Sequence, residues 1–96
     1  LRVGSPTYGK NLSIILSSDK GNMIYIPEGL AHGFFTLSKF STLIYKTTNI
    51  HDPKKDIGIK WDSAGISWPK KNIIISERDK SFLPFKNFKS PFRFKK

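Results

Sequence analysis

The stretch IPEGLAHGF, residues 26–34, sets a histidine directly after a Pro-Glu-Gly turn. An imidazole in such a place has three uses: it packs in a core, ligates a metal, or contacts a substrate. A metal centre needs three or four ligands. The chain has only two histidines, His32 and His51, and neither sits in a ligand cluster. It has no cysteine, which excludes a disulfide scaffold, a thiolate zinc site and a cysteine nucleophile. For His32 this leaves core packing and substrate contact.

The elements that would position His32 read as short strands. LSIIL (residues 12–16) and MIYI (23–26) flank the polar turn SSDKGN, and Pro27 with Gly29 ends the second. HGFFTL (32–37) resumes after the turn. STLIYKT (41–47) alternates, with Leu43, Tyr45 and Thr47 on one face and Ile44 and Lys46 on the other. HDPKKD (51–56) is a polar loop, and IGIKW (57–61) and NIIIS (72–76) are further strand candidates. Helical periodicity is weak. Strands between frequent turns, with 14% aromatics, predict an all-β sandwich or barrel.

At 96 residues the chain is one domain at most, with a modest core. No apolar run approaches the roughly 20 residues needed to span a bilayer. The start, LRVGSPTYGK, has neither the charges nor the apolar stretch of a signal peptide, and it reads as a chain entered partway through a fold. The lack of cysteine is compatible with the cytoplasm, the compartment expected here. Net charge is +10, which fits an anionic partner such as nucleic acid, phosphate or a membrane surface. The excess is uneven. Lys86, Lys89, Arg93, Lys95 and Lys96 crowd the last eleven residues with no acid among them, so a solvated basic tail is the simpler reading. The segment SFLPFKNFKSPFRFKK (81–96) carries five Phe and two Pro, and it is expected to drape over the body or stay partly disordered.

From Gly21 the chain runs five residues to Pro27, one to Gly29 and two to His32, a spacing that resembles the second conserved motif of the cupin superfamily. SPTYGK, IPEGLAHGF, LIYKTTN, GIKWD, ISWP and ISERD follow in that order. Together they resemble the C-terminal half of the dTDP-4-dehydrorhamnose 3,5-epimerase family, from about residue 1 to about residue 84. The resemblance implies a cupin-type jelly-roll β-barrel, partial here because its N-terminal strands are missing. It divides the chain into an epimerase-like part (1–84) and a basic Phe-rich tail (85–96). It also implies a homodimer that uses no metal or cofactor and acts on a dTDP-4-keto-6-deoxy sugar. The reaction is proton exchange at C3 and C5, where the neighbouring ketone acidifies the C–H bonds.

Residue by residue, the resemblance gives Tyr45, in the YKTT stretch, the role of catalytic acid. A phenol can hand a proton to an enolate carbon and be re-formed. Asp79, in SERD, matches the aspartate that orients the catalytic histidine. His32 matches a substrate contact. Arg78 stands where the family has a lysine that meets the diphosphate, and it keeps the charge. Asp56 stands for a glutamate that binds the nucleotide part, one methylene shorter. His51 stands for a tyrosine that stacks on thymine, with less ring area. By residue type alone Tyr45 reads first as a packing strand aromatic, and the loop residues His51 and Asp56 are equally solvated positions. The family's catalytic base belongs to an RGLHxQ-like segment that nothing here matches, so the chain by itself is expected to be inactive. A non-catalytic sugar-nucleotide or polyanion-binding fragment, or a relative that epimerises only C3, are the alternatives. Nucleic acid and membrane are not expected partners.

Overall fold

Hydrogen bonds in the computed structural model, which describes residues 1–69 and 72–96, are mostly local. Turns form where polar and glycine residues cluster. Ser17 O accepts from Gly21 N at 3.0 Å, and the Asn22 side chain closes the same turn onto Ser17 N and Ile15 O. Gly21 has φ 57° and Gly29 has φ 84°, left-handed values that glycine adopts without a Cβ clash. Two short helical elements follow late in the chain: α1 (Glu77–Lys80) and a 3₁₀ turn (Phe85–Asn87). Ser76 caps α1 by accepting the amide of Asp79 at 3.1 Å.

The expected jelly-roll barrel is not present. Among the described residues there is no sheet, only one isolated parallel bridge between Val3 and Arg93. Residues 12–16, 23–26, 32–37, 41–47, 57–61 and 72–76, each read as a strand, form no ladder. The reason is physical. Alternation and apolar runs specify an extended backbone, which is a local property. A ladder needs a partner strand and a covering layer, and isolated pairs are marginal in water. Neither is supplied here. No hydrophobic side chain is fully buried among the described residues. The accessible surface is 9139 Å², against about 5,600 Å² for a folded chain of this mass. The radius of gyration, 14.5 Å, also exceeds the roughly 13 Å of a compact domain of this length.

Among the described residues only Gly29 is buried, and partly buried positions are most frequent over residues 58–68 and in the last third of the chain. Trp61 and Trp68 meet edge to face with centroids 6.2 Å apart, and Phe35 joins Trp68 at 6.5 Å. Trp68 Nε1 donates to Trp61 O at 2.9 Å, so the indole buries its polar handle satisfied. Tyr8 packs on Phe85 at 5.7 Å. Lys60 N donates to Leu83 O at 2.8 Å, and Phe85 N donates to Ser63 Oγ at 2.9 Å. The N-terminus is tied in as well: Leu1 N donates to Gly29 O, and the Arg2 guanidinium donates to Glu28 O. These bonds hold the Pro27-Glu28-Gly29 turn against the start of the chain.

A candidate anion-binding chain of polar residues

The loop 51–56 is shaped by its own residues. Asp52 accepts the amide of Lys54 on its carboxylate at 3.0 Å, and its carbonyl accepts from Lys55 N and Asp56 N, each at 3.0 Å. Pro53, with φ preset by its ring, suits the first corner of such a turn. The turn fixes Asp56 next to α1. There Arg78 Nη2 lies 2.6 Å from Asp56 Oδ1, and Arg78 Nη1 lies 3.8 Å from Asp79 Oδ1. On the other side of Asp56, His51 Nδ1 stands 3.7 Å from Oδ2. The result is one connected line: His51, Asp56, Arg78, Asp79.

Phe82 supports that line from below. Its ring lies 5.1 Å from the Arg78 guanidinium carbon, a cation–π arrangement. The ring in turn rests over Gly58, where an added Cβ would strike it. Residues 48–52 with Lys55 and Asp56 border an open depression of about 890 Å³. A smaller one, about 190 Å³, has Lys55 and Asp56 at one end and Phe88 and Phe92 at the other.

Chemically, the line is an exposed cation held between carboxylates. An Arg–carboxylate pair open to water is worth about 1 kcal/mol or less. A phosphate can therefore displace Asp56 from Arg78 at small cost, because a guanidinium donates to phosphate oxygens as it does to a carboxylate. Among the described residues no three His, Asp or Glu side chains are grouped so as to hold a metal ion.

Four of the six residues singled out from the sequence thus meet. The other two stand apart. Tyr45 is 57% exposed, and His32 is exposed on its turn. Among the described residues neither makes a side-chain hydrogen bond or ion pair, and Asp79 pairs with Arg78 and not with a histidine. Two contributors went unread in the sequence. Phe82 lies just past the end of α1, and no periodicity in the sequence marks it as the ring beneath Arg78. Lys55 borders both depressions and lies 3.9 Å from Asp52 Oδ2. Nothing distinguishes it from Lys54 by type.

The line joins the polar loop to α1 and holds one exposed guanidinium, and comparison with known proteins gives the lineage. The family model described as dTDP-4-dehydrorhamnose 3,5-epimerase matches residues 1–87. The chain belongs to the dTDP-4-dehydrorhamnose 3,5-epimerase family. A protein of that name from Sinorhizobium fredii is 45% identical over 84 residues, covering 84% of this chain and 43% of the relative. The one from Methanothermobacter thermautotrophicus is 41% identical over 91 residues, covering 90% and 49%. The one from Escherichia coli is 39% identical over 82 residues, covering 82% and 44%. No solved structure matches the chain. The reading of the likeness as that of a C-terminal half only is corrected by this match, which takes in nearly the whole chain. The chain spans about half the length of the curated relatives it matches.

Proposed function

We propose that these residues serve a dTDP-4-dehydrorhamnose 3,5-epimerase acting on a dTDP-4-keto-6-deoxy sugar. The observation that carries this is the family match over residues 1–87, joined by relatives of that name at 39–45% identity. In the reaction a base removes the proton at C3 or C5, and the C4 ketone takes up the electron pair as an enolate. The acid then returns a proton to the opposite face of the same carbon. Tyr45 is the acid in this reading. Arg78 meets the diphosphate by exchanging its bond to Asp56 for a phosphate oxygen. His51 and Asp56 border the nucleotide, His32 contacts the sugar, and Asp79 orients the histidine base. No residue of this chain matches the RGLHxQ-like segment to which the family's base belongs. The reading includes a homodimer working in the cytoplasm. No helix among the described residues is long and apolar enough to cross a membrane.

The test is deuterium uptake from heavy water at C3 and C5 of the keto-sugar, in the active protein that contains these residues. Tyr45→Phe is expected to slow uptake by about 10²–10⁴-fold, the usual worth of a positioned acid. Unchanged uptake would remove Tyr45 from the chemistry. The 96-residue chain alone is expected to exchange neither position above the buffer rate.

A further inference from the structure

We propose that residues 85–96 form a docking surface for an anionic lipid bilayer, held in its working shape by the bridge between Val3 and Arg93. Most of this segment lies beyond residue 87, where the family match ends, so the surface does not rest on the epimerase reading.

The segment is not the loose tail its composition suggests. Val3 N donates to Phe92 O and Phe94 N donates to Val3 O, both at 2.9 Å, and Ser90 Oγ donates to Leu1 O. These bonds pin an extended stretch at Arg93. In extended chain successive side chains alternate, so Phe92 and Phe94 share one side and Arg93 and Lys95 the other. Phe92 reaches toward the Gly29 turn, where an added Cβ would lie 3.4 Å from its ring. Even so Phe92 and Phe94 stay 45% and 39% exposed. All five cations, Lys86, Lys89, Arg93, Lys95 and Lys96, are exposed, and among the described residues none is in an ion pair.

Unpaired cations on the side away from Phe92 and Phe94 match the charged headgroups of an anionic bilayer. A single nucleic-acid strand is the rival polyanion. It asks for a groove that tracks its backbone, and neither depression in the structure is bordered by a tail cation. The pinned stretch, with its cations outside both depressions, favours a broad charged surface. Pinning also means that less backbone freedom is lost on docking.

The experiment is co-sedimentation of the full 96-residue chain with phosphatidylcholine vesicles, with and without phosphatidylserine. Binding is expected to rise at least about tenfold with phosphatidylserine and to fall as salt is added. The variant Lys89→Gln/Arg93→Gln/Lys95→Gln/Lys96→Gln changes only exposed positions, and it is expected to lose that gain. The matched variant Lys10→Gln/Lys20→Gln/Lys46→Gln/Lys54→Gln, which removes as many charges, is expected to keep most of it, and unaltered fluorescence of Trp61 and Trp68 checks that both keep the aromatic cluster. Equal binding to pure phosphatidylcholine would overturn the proposal by assigning the affinity to the exposed apolar segments. So would a quadruple variant that binds as well as the parent. Tail-dependent binding of a single-stranded oligonucleotide, without vesicle binding, would assign the surface to nucleic acid instead.

Discussion

Residues 10–50 and residues 57–96 have similar shares of apolar residues but very different surroundings. In the first region Leu12, Met23, Tyr25, Phe40, Ile44 and Ile50 all stand largely in water, and its side-chain hydrogen bonds mostly close turns within a few residues. In the second, Trp61, Trp68, Phe82, Phe85 and Phe88 are each partly buried, and carbonyls and hydroxyls tie positions more than twenty residues apart. The difference lies in the kind of element each region needs. Extended apolar segments are stable only when another strand and another layer complete them. Aromatics beside tight turns can find one another within a short span of chain.

The largest test of this contrast is Trp68→Ala. Trp68 touches Trp61 and Phe35 and donates to Trp61 O. Removing a partly buried indole with two partner residues is expected to cost about 2 kcal/mol, less than the 3–5 of a full core site. The urea midpoint, followed by the remaining Trp61, would read it. A cost below about 0.5 kcal/mol would mean that the second region is no better held than the first.

Gly58→Ala comes next. Its new Cβ would run into the Phe82 ring, which also carries the Arg78 guanidinium. Overpacking of this kind is expected to cost about 1–2 kcal/mol. It should also loosen the Arg78–Asp56 pair, so phosphate affinity should change along with stability. A stability loss with no change in phosphate binding would separate the aromatic support from the polar line. Ser63→Ala is smaller. Ser63 Oγ donates to Lys60 O at 2.6 Å and accepts from Phe85 N at 2.9 Å, and losing both is expected to cost about 1 kcal/mol.

The same contrast explains how much could be read from the sequence. The turns at 4–9, 17–22 and 51–56 are legible because Gly, Pro, Asn and Asp act on their own backbone. The strand pattern was equally clear, yet it predicted a barrel that is absent, because pairing is a property of two segments and alternation describes only one. The site divides in the same way. His51 and Asp56 share a loop whose turn chemistry is visible, whereas the helix that Ser76 caps is not read from the sequence, where 72–76 reads as a strand. That Asp56 meets Arg78, twenty-two residues away, is carried by no local signal. The likeness to the epimerases singled out both residues without placing them together.

The smallest expected effect tests the first region. Ile50 is 97% exposed, on the border of the larger depression. A side chain that water already surrounds has no transfer energy to lose, so Ile50→Ser is expected to move the urea midpoint by no more than the equivalent of about 0.5 kcal/mol. In an ordinary core the same change would cost several times that, through lost burial and a stranded hydroxyl. A null result therefore fits a segment with no covering layer. A loss above about 1 kcal/mol would show that Ile50 is covered in solution, by its own chain or by a second polypeptide. Repeating the measurement across a range of protein concentrations tells these two apart, because only cover supplied by another molecule makes the midpoint rise with concentration.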